Sequence, residues 1–161
     1  MKSAKFAGLA SFIAGVLMIV SGAFAWGLTS TQLASENITV ANDAPAFGGS
    51  KVAGPLTAFY QAEAVKKHTM AASEGLTYAE LGTKVEEAKA SGDTATAEKL
   101  QTARNMVETG NFVRSSLFTS VMAFGVSALV MGAGLLFSLL GWGVYRMSVV
   151  RAQEIEAAQQ D

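Results

Sequence analysis

Cysteine is missing from this chain and histidine occurs only once, as His68. The first absence excludes disulfides, thiolate metal ligands and thiol nucleophiles. The second puts multi-histidine metal sites out of reach. Nor is there an excess of basic charge: the net charge is −1 and the pI near 5.8, so nothing electrostatic points to nucleic acid. Charge of either sign is absent from two long stretches, between Lys5 and Glu36 and between Arg114 and Arg146. Eight of the twelve basic and ten of the thirteen acidic residues fall in the segment that separates them. A chain divided in this way builds its core in lipid and keeps a small polar unit in water.

Phe6 to Leu28 is one apolar run. At about 1.5 Å of rise per residue it crosses a hydrocarbon core of roughly 30 Å, and helix is the form that leaves no backbone group unpaired there. Lys2 and Lys5 ahead of it, with Ala23-Phe24-Ala25 at its end, also fit a cleavable secretory signal. With the segment following Met1 in the chain, a retained anchor is the expectation. The second span lies within Ser115 to Tyr145. It exceeds what a bilayer requires, and its helix is expected to run on into the preceding polar segment.

Basic residues near the span ends set the orientation. Lys2, Lys5, Arg146 and Arg151 lie on one side, whereas nothing basic follows the first span until Lys51. The expected arrangement has both termini in the cytoplasm and the intervening loop outside. Trp26 and Phe118 would mark the outer interface, Trp142 and Tyr145 the inner one. The fold class expected is an all-α membrane protein, a two-transmembrane-helix hairpin with a largely helical extracytoplasmic loop domain. Its parts are a cytoplasmic N-terminus (1–5), the first transmembrane helix (6–28), the loop domain (29–116), the second transmembrane helix (117–145) and a cytoplasmic tail (146–161).

Within the loop domain, residues 29–54 read as extended chain and turns, from Asp43, Pro45, Gly48, Gly49 and Gly54. Residues 55–116 read as helical. Pro55 suits a first helical turn, and that helix ends near Ser73 to Gly75. Thr77 and Glu80 have capping-box spacing for a short helix to about Ala90. Ser91-Gly92-Asp93 is a turn, after which Asp93 or Thr94 caps a final helix that enters the second span. The stretch from Ala79 to Arg104 is polar and offers little core, so the loop is expected to lean on a partner.

No constellation in the sequence rises to an active site. The nearest acids to His68 along the chain, Glu63 and Glu74, do not stack with it on a helical turn. Glu86 and Glu87 are adjacent and diverge around a helix. Gly48-Gly49-Ser50-Lys51 lacks the full phosphate-loop pattern. Neither span carries an ionisable residue, which argues against an ion path. The expectation is therefore a protein that is no enzyme and has no catalytic residues, cofactor or metal.

The candidate residues instead suit contact with a partner. Gly8, Gly15 and Gly22 recur every seven residues in the first span, and Gly125 and Gly132 share that spacing in the second. Missing side chains let helix backbones approach closely. Asp43, Pro45, Phe47, Gly48 and Gly49 complete the expected interface, because an ordered glycine-rich segment of this length usually lies against something.

The strings Glu36-Asn37-Ile38-Thr39-Val40-Ala41-Asn42-Asp43-Ala44-Pro45-Ala46-Phe47 and Gly54-Pro55-Leu56-Thr57-Ala58-Phe59-Tyr60-Gln61-Ala62 are distinctive. With Arg114-Ser115-Ser116-Leu117-Phe118 ahead of the second span, they make the chain resemble small two-span membrane proteins of actinobacteria. Among these it resembles the prokaryotic respiratory supercomplex association factor family, over most of its length and least from Gly82 to Lys99. The resemblance implies a non-catalytic accessory subunit of a cytochrome bcc–aa3 respiratory supercomplex. Its partners would be larger integral-membrane subunits and the lipid bilayer. Two other readings stay open: an accessory or scaffold subunit of a transporter or cell-envelope complex, and a small-molecule sensor or enzyme with an external domain.

Overall fold

The computed structural model describes residues 2–158, with side chains for residues 3–154. Met1, the side chain of Lys2 and the end of the 146–161 tail lie outside the described residues. Four helices follow one another: α1 (Lys2–Ser35), α2 (Pro55–Ala72), α3 (Tyr78–Ala90) and α4 (Thr94–Ala158). The chain divides into two compact units, one formed by residues 1–29 and 123–161, the other by residues 30–122.

α1 and α4 are long and apolar enough to cross a membrane. In their most apolar windows only 17% and 22% of the residues are buried within the chain. The core helix of a soluble domain shows the reverse, since its apolar residues are covered by their own protein.

In the first unit α1 and α4 pack at a seam of small residues. A Cβ built on Gly8 would lie 2.7 Å from Tyr145 N, and one on Gly15 would lie 2.5 Å from Gly134 O. On Gly22 it would meet Met131 Cγ at 2.6 Å. Only glycine permits so close an approach, and dispersion over the matched backbones is what it gains. Ser11 Oγ adds a hydrogen bond to the carbonyl of Phe137 at 3.1 Å. Phe12 meets Trp142 at 5.9 Å between ring centroids, and Trp26 meets Phe124 at 4.7 Å.

The second unit departs from expectation in two places. Residues 29–35, expected to be extended, continue α1 as helix to Ser35. The run Thr29-Ser30-Thr31-Gln32-Leu33-Ala34-Ser35 contains neither glycine nor proline to end it, and Leu33 is buried. Termination waits for Asn37, at φ 54°, a left-handed position that asparagine tolerates. The unit also has its own core, despite the polar reading of Ala79 to Arg104. Val40, Val52, Ala58, Ala62, Leu81, Val85, Val107 and Leu117 are all buried.

The helix starts follow from their caps. Thr57 Oγ1 accepts from the Gly54 N–H at 3.1 Å ahead of Pro55. The Thr77 N–H donates to Glu80 Oε2 at 2.8 Å while the Thr77 hydroxyl oxygen accepts from Glu80 N at 3.4 Å, a reciprocal box. That box holds the Glu80 carboxyl below its usual range, through the Thr77 backbone bond first. Asp93 accepts from Thr96 N at 3.0 Å, and its carboxyl is held below its usual range by the Thr96 side-chain hydrogen bond first and the Thr96 backbone bond second.

Candidate partner interface

The loop between α1 and α2 is clamped within its own unit. Val40 N donates to Ser50 O and Gly49 N to Val40 O, each at 2.8 Å, and Val52 N donates to Ile38 O at 2.9 Å. Thr39 and Lys51 form an isolated antiparallel bridge. Val40 and Val52 project inward, and Ala41 N donates to Gln61 Oε1 on α2 at 2.9 Å. These contacts offset an ordering cost of about 1–2 kcal/mol per residue in backbone entropy. The segment therefore has a structural support inside the chain.

At its tip Asp43 meets two side chains of α2, Lys67 and His68. Lys67 Nζ donates to Oδ2 at 2.8 Å, and His68 Nε2 lies 3.0 Å from each carboxylate oxygen. A nitrogen facing two carboxylate oxygens is favourable only with its hydrogen on, so Nε2 is the protonated position. The Lys67 bond first, and the His68 bond second, hold the Asp43 carboxyl down from 3.8 to about 2. All three side chains are substantially exposed, so the cluster is a solvated pin and brings no group to a sheltered cleft.

The other loop residues also find neighbours. Phe47 adopts φ 61°, a costly conformation for an aromatic residue. Its ring rests 5.5 Å from that of Tyr60. Gly49 sits at φ +75°, and a Cβ on Gly48 would come within 3.0 Å of Asn42 O. Pro45, Phe47, Gly48 and Gly49 nevertheless remain exposed, forming an ordered tip.

The five glycines of the candidate interface separate into two groups. Gly8, Gly15 and Gly22 are buried against α4 of the same chain, opposite Gly141, Gly134 and Met131 in turn. Gly125 and Gly132 are exposed and have open space where a Cβ would stand. Gly134 follows Gly125, and Gly141 follows Gly132, by nine residues. Nine residues are about 2.5 helical turns, which puts the two pairs on opposite sides of α4. Gly143 also has open space and lies eighteen residues after Gly125, on its side of the helix. One glycine face is thus filled by α1 and the other is free, bordered by the exposed side chains Met122, Leu129, Leu136 and Leu139.

Elsewhere the second unit has an open groove of about 750 Å³ lined by Gly82, Glu86, Glu87 and Arg104. Arg104 is turned onto the Tyr78 ring, 4.2 Å from its centroid. Arg114 pairs with Glu63 at 3.5 Å across α4 and α2. Among the described residues no three His, Asp or Glu side chains converge as metal ligands.

Sequence reasoning missed the Asp43–Lys67–His68 pin, because its members lie twenty-four and twenty-five residues apart. It also left undivided the glycines that the register of α1 on α4 separates. In comparisons with known proteins, no family model, no curated protein and no solved structure matches the chain.

Proposed function

We propose that this chain is a non-catalytic accessory subunit that associates with a larger membrane complex and stabilises it. The observation that carries the reading is the free glycine face of α4, opposite the face that α1 fills. Lipid tails are as apolar as leucine, so close backbone packing, together with interhelical hydrogen bonds, is what rewards one helix for choosing another over lipid. A vacant Gly125–Gly132 notch between leucines offers that reward to a helix of a partner subunit. The exposed, clamped tip from Asp43 to Gly49 offers a second contact whose ordering has already been met within the chain.

In this reading α1 and α4 cross the membrane. The basic residues Lys5, Arg146 and Arg151 keep both termini cytoplasmic, and the second unit lies outside. The resemblance to the respiratory supercomplex association factor family names the complex: a cytochrome bcc–aa3 assembly. Solubilisation in mild detergent followed by native electrophoresis tests both parts. Co-migration with haem absorbance is the expected result. Co-migration with a large haem-free species would move the protein to a transporter or cell-envelope complex. A free small species would contradict the accessory role.

A further inference from the structure

One end of the first unit collects side chains that the partner reading leaves unused. Lys5 Nζ lies 5.6 Å from the centroid of the Tyr145 ring. Tyr145 stacks on Trp142 at 6.3 Å, and Trp142 touches Phe12 at 5.9 Å. Arg146 follows directly, with its side chain exposed. α1 contains no acidic residue, and none occurs in α4 between Glu108 and Glu154. Among the described residues no carboxylate pairs with Lys5 or Arg146. Among the described residues these two cations therefore stand without a carboxylate partner, Lys5 over the Tyr145 phenol and Arg146 four residues, about one helical turn, from the half-exposed Trp142 indole.

We propose that Lys5, Trp142, Tyr145 and Arg146 form a docking site for the phosphate headgroup of an anionic phospholipid. The inference rests on the membrane-crossing reading of α1 and α4. Charge complementarity selects the occupant. An ammonium and a guanidinium both donate to phosphate oxygens, and the guanidinium does so with two parallel bonds. Trp142 and Tyr145 supply the amphipathic surface that settles at headgroup depth, with the apolar ring bodies turned toward the acyl chains. A zwitterionic headgroup presents the same phosphate but brings its own cation close to Lys5 and Arg146. The site accordingly favours net-negative lipid.

The other tryptophan provides an internal control. Trp26 packs on Phe124, and the nearest basic residue along α4 is Arg114, ten residues away or about 15 Å of helix. Arg114 is already paired with Glu63.

The test uses the full chain as two single-tryptophan variants, Trp26→Phe reporting on Trp142 and Trp142→Phe reporting on Trp26. Each is reconstituted in phosphatidylcholine vesicles that contain a minor fraction of brominated phosphatidylglycerol or the same fraction of brominated phosphatidylcholine. One basic side chain at a membrane surface enriches anionic lipid about fivefold. Trp142 should therefore be quenched markedly more by the brominated anionic lipid, and Trp26 equally by both. Adding Lys5→Gln and Arg146→Gln should abolish the Trp142 preference without changing its quenching by brominated phosphatidylcholine. Equal quenching of Trp142 by the two lipids, or an equal preference at Trp26, would overturn the site and leave the membrane-crossing reading intact. Absence of quenching by either lipid would overturn that reading itself.

Discussion

Gly15 and Gly132 look alike in the sequence, each one of a pair of glycines seven residues apart in an uncharged stretch. Their surroundings differ because only one faces a neighbour. A side chain at Gly15 would collide with the backbone of Gly134, whereas at Gly132 it would meet open space. Gly15→Leu should therefore open the α1–α4 seam and remove the proximity between the Phe12 and Trp142 rings. Gly132→Leu should leave that proximity unchanged. Ring-to-ring nuclear Overhauser contacts in detergent would report the difference, and equal loss in both variants would contradict the register. Spacing was enough to find the glycines; which of them are filled depends on the neighbouring helix, which spacing does not encode. The Asp43 pin was illegible for a related reason, since its partners are brought close only by the folded loop. Asp43→Asn should quicken amide exchange at Val40, Gly49 and Val52, as measured by mass spectrometry, and unchanged protection would show that the pin holds nothing. The pH dependence has a definite sign. The folded carboxyl is depressed, from 3.8 to about 2. Its contribution is thus complete above 3.8 and is lost as pH falls through about 2.

At the scale of elements, punctuation was legible where a side chain caps a helix or a turn breaks one. Pro55, the Thr77–Glu80 box and the Ser91-Gly92-Asp93 turn each act through neighbours within three residues, and α2, α3 and α4 begin accordingly. The extension of α1 to Ser35 was hidden because Thr29 to Ser35 is polar, without apolar periodicity to mark it as helix. Leu33 is the single buried residue in that stretch. The core of the α3–α4 hairpin was hidden because it is small and dispersed, with Leu81, Val85 and Ala88 on one stripe of α3. Its energetic weight is nevertheless testable. Leu81 is 1% exposed, and truncating a fully buried leucine costs about 2–5 kcal/mol. Leu81→Ala should expose α3 to limited proteolysis and leave insertion of α1 and α4 in the membrane unaffected. Resistance equal to that of the parent chain would mean that the second unit draws its order from elsewhere.

For the whole molecule, the division between charge-free and charge-rich stretches was written in the sequence, and two long apolar helices with a smaller helical unit follow from it. The topology we propose predicts that a cysteine placed at Ser50 is labelled by an impermeant maleimide on intact cells and one at Ser148 is protected. The opposite pattern would invert the hairpin. The partner could not be read from composition, because a glycine face records that a helix fits there and not which helix. The central claim is that this face holds a larger subunit. Its most direct test is co-purification of the chain with a tagged core subunit of the cytochrome bcc–aa3 assembly, normalised to the amount in the membrane. Gly132→Leu should lower recovery by about tenfold, the weight of roughly 1.4 kcal/mol, while the Phe12–Trp142 contact of the hairpin persists. Undiminished recovery of the Gly132→Leu chain would contradict the account.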